Sequence, residues 1–160
     1  MSEVTIEVAG NARELAQLNA AVQEFHNAHY PDKFKPFNGN AVEAWFDKVL
    51  GKPTTHAFVA RKGGKAIGYI LCFFIESEEN PFQYKKSALL IDQLCVEHQH
   101  RKQGVASQLM AAAYQLAETH GMEEIRIEHW EANEIARDFF INQGFERYKQ
   151  CRTRLLKAKN

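Results

Sequence analysis

Val4, Ile6 and Val8 alternate with polar residues, the period-two pattern of a half-buried strand, and Gly10-Asn11 closes it. From Ala12 to His29 the period changes, with Leu15, Leu18, Ala21, Val22 and Phe25 recurring at helical spacing. Tyr30-Pro31-Asp32 predicts the helix end, because the residue before a proline disfavours the helical region. After an irregular stretch over 31–40, Val42, Trp45, Phe46 and Val49 mark the apolar face of a short helix, with Asn40 as its expected cap. Gly63-Gly64 predicts a hairpin joining strands over 56–61 and 66–75. An acidic turn over 76–81 leads to an apolar run over 87–96. Val105, Leu109, Ala112, Ala113 and Leu116 then give 103–120 a helical face. Ile125 and Ile127 mark a short strand, 132–142 a helix, and 145–156 a final strand or strand pair. The order βα(α)βββαβαβ, without repeat or linker, predicts one α/β domain over 1–160.

The 160 residues suit one domain, and 45% hydrophobic with 25% charged residues excludes a disordered, collagen-like or coiled-coil chain. No apolar run approaches the ~18 residues of a membrane span. The start, Met1-Ser2-Glu3-Val4, lacks the basic and apolar regions of a signal peptide, so a cytoplasmic protein without a membrane partner is expected. Cys72, Cys95 and Cys151 are an odd number without metal-like spacing; reduced thiols and no metal site are expected. Twenty basic residues balance twenty acidic ones (20 Lys+Arg, 20 Asp+Glu), which argues against a nucleic-acid binder. Arg147, Lys149, Arg152, Arg154, Lys157 and Lys159 are read instead as charges protecting an edge strand. The charge is nevertheless segregated. Residues 98–103 contain no acid, whereas Glu76, Glu78 and Glu79 cluster, as do Glu123, Glu124, Glu128, Glu131 and Glu134.

The acid-free stretch is where chemistry enters. An apolar strand ends at Val96, a polar turn follows, and a helix is expected to begin near Gln103. Gly104 and Ala106 put small side chains in its first turn, at a cost for glycine of roughly 1 kcal/mol relative to alanine. Small residues there let a ligand approach the unpaired N–H groups of a helix start, and those groups with the helix dipole favour an anion such as a phosphate. Arg101 and Lys102 oppose the dipole of an isolated helix but suit a bound polyanion. The same residues also read as a glycine turn in a solvated basic loop.

The run Arg101-Lys102-Gln103-Gly104-Val105-Ala106 resembles the Arg/Gln-x-x-Gly-x-Gly/Ala signature of the GNAT superfamily of acyl-CoA-dependent N-acetyltransferases. Downstream, the segment from Asn133-Glu134-Ile135-Ala136 through Phe139-Phe140 to Gly144-Phe145 is similar to that family's Asn-x-x-Ala-x-x-Phe-Tyr-x-x-x-Gly-Phe pattern. The resemblance implies a mixed, mostly antiparallel central sheet flanked by helices, with a splayed strand pair forming an acetyl-CoA wedge. It implies a bulge in the strand ending at Val96, whose backbone at Leu94, Cys95 and Val96 pairs with the pantetheine arm. The pyrophosphate is implied to rest on Arg101, Lys102, Gln103, Gly104, Val105, Ala106 and Ser107. Asn133 is implied to contact the pantetheine, with Ala136, Phe139 and Phe140 packing beside it. A homodimer is a family-level expectation.

An alkylamine titrates near 10.4, so under ~0.1% is free base at neutral pH and a base in the cleft helps. Asp92 is the candidate, a carboxylate in an otherwise apolar strand and four residues before Val96; a structural carboxylate paired with a basic side chain is its rival reading. Glu128 and His129 come next. Glu97, His98 and His100 are read as surface residues. The Val96 backbone N–H is the simplest donor to the carbonyl oxygen that gains negative charge. Phe140 departs from the family's tyrosine, which can protonate the leaving thiolate, so no general acid is assigned. Cys95 lies in an expected buried strand without a base, and direct transfer in a ternary complex is expected instead of an acyl-enzyme. Phe25, His26, His29, Tyr30, Phe34 and Phe37, with Glu76, Glu78 and Glu79, suit a cationic amine with an apolar body, on a small molecule or a peptide, if they line the cleft. The rival class is a catalytically silent acyl-CoA-binding or interaction module on the same fold.

Overall fold

A computed structural model describes residues 2–157. In chain order the elements are β1 (Val4–Val8), α1 (Ala12–His29), α2 (Gly39–Leu50), β2 (Thr55–Lys62), β3 (Lys65–Ser77), β4 (Lys86–Val96), α3 (Val105–Thr119), β5 (Glu124–Ile127) and α4 (Glu134–Asn142). The strands form one sheet in sequence order, antiparallel except for the parallel β4–β5 pair. Gly63 and Gly64 both take positive φ, which allows the β2–β3 turn its tight twist.

Each face of the sheet is covered by a helix pair. Leu15, Leu18, Phe46 and Val49 of α1 and α2 pack on Val59, Tyr69, Leu71 and Cys95. Leu109, Met110, Ala113 and Phe140 of α3 and α4 pack on Ile67, Ile70, Leu89, Ile91 and Val96 from the other side. Strand residues should alternate between these faces, but β4 changes phase. Leu89 and Ile91 face α3, and so do Leu94 and Val96, while Cys95 faces α1. The register explains it: Cys72 pairs with Ile91 but Leu71 pairs with Gln93, leaving Asp92 as the extra residue of a β-bulge.

Several sequence expectations shift. Asn38, not Asn40, caps α2, its Oδ1 accepting from Ala41 N–H at 3.1 Å. Gly104 precedes α3 as its N-cap with φ of 80°, so the glycine serves a left-handed backbone and the interior-helix cost does not apply. The strand expected over 145–156 does not form. Phe145 packs against the core, but every described residue from Glu146 onward is exposed and without regular structure. Arg147 and Lys149 would charge one face of a strand and Arg152 and Arg154 the other, and Leu155 and Leu156, being adjacent, would point to opposite sides. The acidic turn after β3 lies at the starting end of β4, the opposite end from Val96.

Gly68 lies opposite Val96, and a Cβ there would meet the Cys95 carbonyl oxygen at 2.8 Å and Val96 Cγ2 at 3.2 Å. The first contact is with backbone, which cannot rotate away. Gly68→Ala is expected to destabilise the fold by about 1–3 kcal/mol, seen in a thermal melt as a Tm lower by about 3–10 °C.

Candidate functional site

The parallel β4–β5 ladder runs from Ala88↔Glu124 to Ile91↔Ile127 and stops, while β4 continues to Val96. Beyond Ile91, β4 is therefore held in the sheet by β3 alone. Glu97 N–H donates to Ile67 O at 2.8 Å. In an antiparallel pair, bonded and non-bonded positions alternate, so Gln93 and Cys95 also bond β3, whereas the backbone groups of Leu94 and Val96 turn away from it. They face the gap that β5 vacates. The Val96 carbonyl accepts from Arg101 Nε at 3.1 Å.

At the end of β4 the chain makes a turn of 3-10 helix over 98–100, passes Lys102 at φ of 59° and enters α3 through Gly104. Asn11, Asn38 and Asn133 cap α1, α2 and α4 with side-chain oxygens, but α3 has no side-chain cap. Its first-turn N–H groups thus stay open beside the wedge, with the exposed Arg101 and Lys102 adjacent. The Val105 side chain is buried in the core, so only its backbone belongs to this cradle. Ser107 is exposed, Ala106 half-buried, and Gln103 Nε2 is returned to the Gln99 carbonyl at 3.0 Å.

Asp92 stands at the point of divergence, exposed at the wedge mouth. Enough protein surrounds the carboxyl that burial still dominates it and raises its pKa above the ordinary aspartate value; a Gln93 side-chain hydrogen bond opposes the rise, and the charge of Glu128 adds to it. Glu128 follows β5 immediately, so the carboxylates flank the opening from the two diverging strands. No basic side chain among the described residues forms an ion pair with Asp92.

Other sequence candidates take structural duties. Cys95 is buried, its thiol donates to the Leu18 carbonyl at 3.1 Å, and burial pushes its pKa up to about 11, against any thiolate nucleophile. Phe140 lies in the core, its ring edge-on to Phe139 at 5.2 Å and to Phe145 at 5.6 Å, and the half-buried Phe139 packs with it. Asn133 Oδ1 accepts from Ala136 N–H at 3.1 Å as the α4 cap, so that oxygen is committed to the helix. Glu97 binds Lys65 at 3.2 Å and faces His100 at 3.7 Å in the outer part of the loop, while His98 is exposed.

On the α1 side the aromatic cluster forms with an unforeseen member. Phe34 stacks on His26 at 4.6 Å, and Trp130 meets Phe34 and Tyr30 at 4.8 Å each. The Tyr30 hydroxyl accepts from Ala132 N–H at 2.8 Å, tying the end of α1 to the loop after β5. Trp130 was legible only as a large aromatic in the polar run Glu128-His129-Trp130-Glu131. Burial lowers the pKa of His26, helped by the charge of His29. Phe37 falls elsewhere, in a cleft with Arg13, Gln17 and Glu43. A further cleft of about 470 Å³ borders β5 at Glu124–Arg126 and the start of the C-terminal segment.

Similarity to known proteins agrees with this geometry. The family model described as "Acetyltransferase (GNAT) family" matches residues 21–145. The BH1408 protein of Bacillus halodurans, as a tetramutant, superimposes with a TM-score of 0.90 at 21% identity, over 95% of this chain and 99% of that one. An aminoglycoside N-acetyltransferase in complex with CoA gives 0.72 at 18% identity, over 99% and 97% of the two chains. A ribosomal-protein-alanine N-acetyltransferase from Brucella melitensis biovar Abortus 2308 gives 0.71 at 18% identity, over 96% and 100%. No curated protein sequence matches. A family match over most of the chain, on a sheet that opens where that family's motifs lie, makes this protein a member of the GNAT acetyltransferase family.

Proposed function

We propose that the protein is an N-acetyltransferase that moves an acetyl group from acetyl-CoA to a primary amine by direct attack in a ternary complex. The observation that carries the reading is the wedge: β4 loses β5 after Ile91 and turns the backbone of Leu94 and Val96 into the gap. A buried backbone group without a partner costs about 1–3 kcal/mol, and the pantetheine amides can complete that edge in place of a strand. The open amides of α3, with Arg101, Lys102 and Ser107, hold the pyrophosphate. When bound, acetyl-CoA supplies an activated thioester.

The residues of this chain then do three things. The Val96 N–H donates to the carbonyl oxygen as it gains negative charge. Asp92 accepts a proton from the bound ammonium, directly or through water, which frees the amine lone pair to attack the thioester carbonyl, and its raised pKa narrows the gap to an amine near 10.4. The aromatic rings of Phe34 and Trp130, with Asp92 and Glu128, favour a cationic acceptor with an apolar body, on a small molecule or a peptide. The aminoglycoside acetyltransferases among the structural neighbours act on acceptors of cationic character, which supports the same class. Phe140 offers no hydroxyl, so water protonates the departing thiolate, whose thiol form titrates near 8.5.

Thiol release from acetyl-CoA should be greatest with polyamines and aminoglycosides in an amine panel; CoA binding without turnover on any amine would favour the silent module. Asp92→Asn should lower kcat/KM about 100-fold or more and remove the acid limb of the pH profile, which in the wild type lies above the ordinary aspartate range. Its stability should move the other way. A carboxyl whose pKa is raised by folding opposes the fold once it ionises, so Asp92→Asn should hold or raise Tm at pH 7, with the difference vanishing as both states protonate in acid. Trp130→Ala should raise the acceptor KM about tenfold while leaving the acetyl-CoA KM unchanged.

A further inference from the structure

Tyr69 is buried at the centre of β3, packed edge-on against Phe46 at 5.8 Å, in a site where phenylalanine would fill the same volume. What phenylalanine lacks is the hydroxyl, and here the hydroxyl is fully used. It donates to Gln93 Oε1 at 2.6 Å and accepts from Asn19 Nδ2 at 3.1 Å. Asn19 is the one buried polar residue besides tyrosine and cysteine among those described, and its Nδ2 also reaches Gln93 Oε1 at 3.5 Å. The arrangement has a fixed polarity: an amide that can only donate, a hydroxyl that does both, and a carbonyl oxygen that can only accept. It ties together α1, β3 and β4.

The β4 end of this triad is the residue directly after the bulge. A strand can carry its extra residue at more than one position, and a slip of one moves every later side chain to the opposite face. Gln93 is the first residue after the phase change, and its tether to Tyr69 and Asn19 is satisfied only if its side chain lies on the α1 face. With Ile91 buried on the α3 face just before it, that requirement leaves Asp92 as the extra residue. We propose that Tyr69, assisted by Asn19, is a positioning residue that anchors Gln93 to the α1 face and so holds Asp92 in place at the mouth of the wedge. The proposal rests on the reading of Asp92 as the base. Consistent with it, Gln93 is among the influences that hold the Asp92 pKa down, and the Asp92 charge is among those that raise the pKa of Tyr69.

The test is Tyr69→Phe, which keeps the ring and removes only the hydroxyl, with Gln93→Met as a second variant of similar length. With the best amine of the panel, each should lower kcat about 10- to 100-fold while leaving the acetyl-CoA KM unchanged. In carbon-13 carboxyl NMR, the Asp92 pKa of Tyr69→Phe should rise by about half a unit or more, because a misplaced Gln93 no longer stabilises the carboxylate. That titration needs no acceptor and stands if one variant fails to fold. In a cycle with Asp92→Asn, Tyr69→Phe should cost nothing further if it acts through Asp92. An unchanged Asp92 pKa with wild-type kcat, or an equal loss of kcat on both backgrounds, overturns the positioning role. Full activity of Asp92→Asn alone would instead overturn the base assignment, and the positioning role for catalysis with it.

Discussion

The β4–β5 ladder ends after Ile91 and Ile127, and the rest of the molecule is arranged around that interruption. Continued pairing would close the sheet and spend the backbone groups of Leu94 and Val96 on β5. With the pairing lost, β4 must be kept flat and ordered by other means over its last residues. β3 provides them through the close approach of Gly68 to Cys95 and Val96 and through the Tyr69–Gln93 bond. Arg101 holds the Val96 carbonyl from the far side. The result is a strand rigid along one edge and open along the other.

Much of this was legible in the sequence because it follows from local periodicity or from motif. The period-two run at Val4–Val8, the glycine hairpin at Gly63-Gly64 and the helical spacing through α1 each translate directly into an element. The cradle residues were legible because a glycine after a basic turn serves both the left-handed N-cap and the signature of the family. Position along the strands was not. Period-two reasoning carries one phase through a whole apolar run, and the bulge at Asp92 inverts that phase without any mark in composition. The Tyr69–Asn19–Gln93 contacts were illegible for a related reason, since they join residues 24 and 50 positions apart.

The missing final strand shows the opposite failure. Arg147 and Lys149 fall in one strand phase and Arg152 and Arg154 in the other, so neither face could be buried, and an edge beside the four-residue β5 offers little ladder to join. Periodicity states what a segment can do; burial decides whether it does so.

The charge balance of the chain gains a spatial meaning from the same geometry. Balance between 20 basic and 20 acidic residues is compatible with one anionic and one cationic substrate, and the sequence offered Glu76, Glu78 and Glu79 as the acids that would meet the cationic one. That acidic turn lies at the wrong end of β4, and the carboxylates at the opening are Asp92 and Glu128, one from each diverging strand. The separation of the strands that exposes donor amides to an anion therefore also brings together the acids that would receive an ammonium. Arg101 and Lys102 sit past the end of β4, beyond Val96, so the positive and negative groups occupy opposite ends of a short open edge. The positive end suits a polyphosphate and the negative end an amine, and the backbone of Leu94 and Val96 lies between them. One break in a sheet thus fixes where the two acids, the basic turn and the unpaired backbone groups lie along β4.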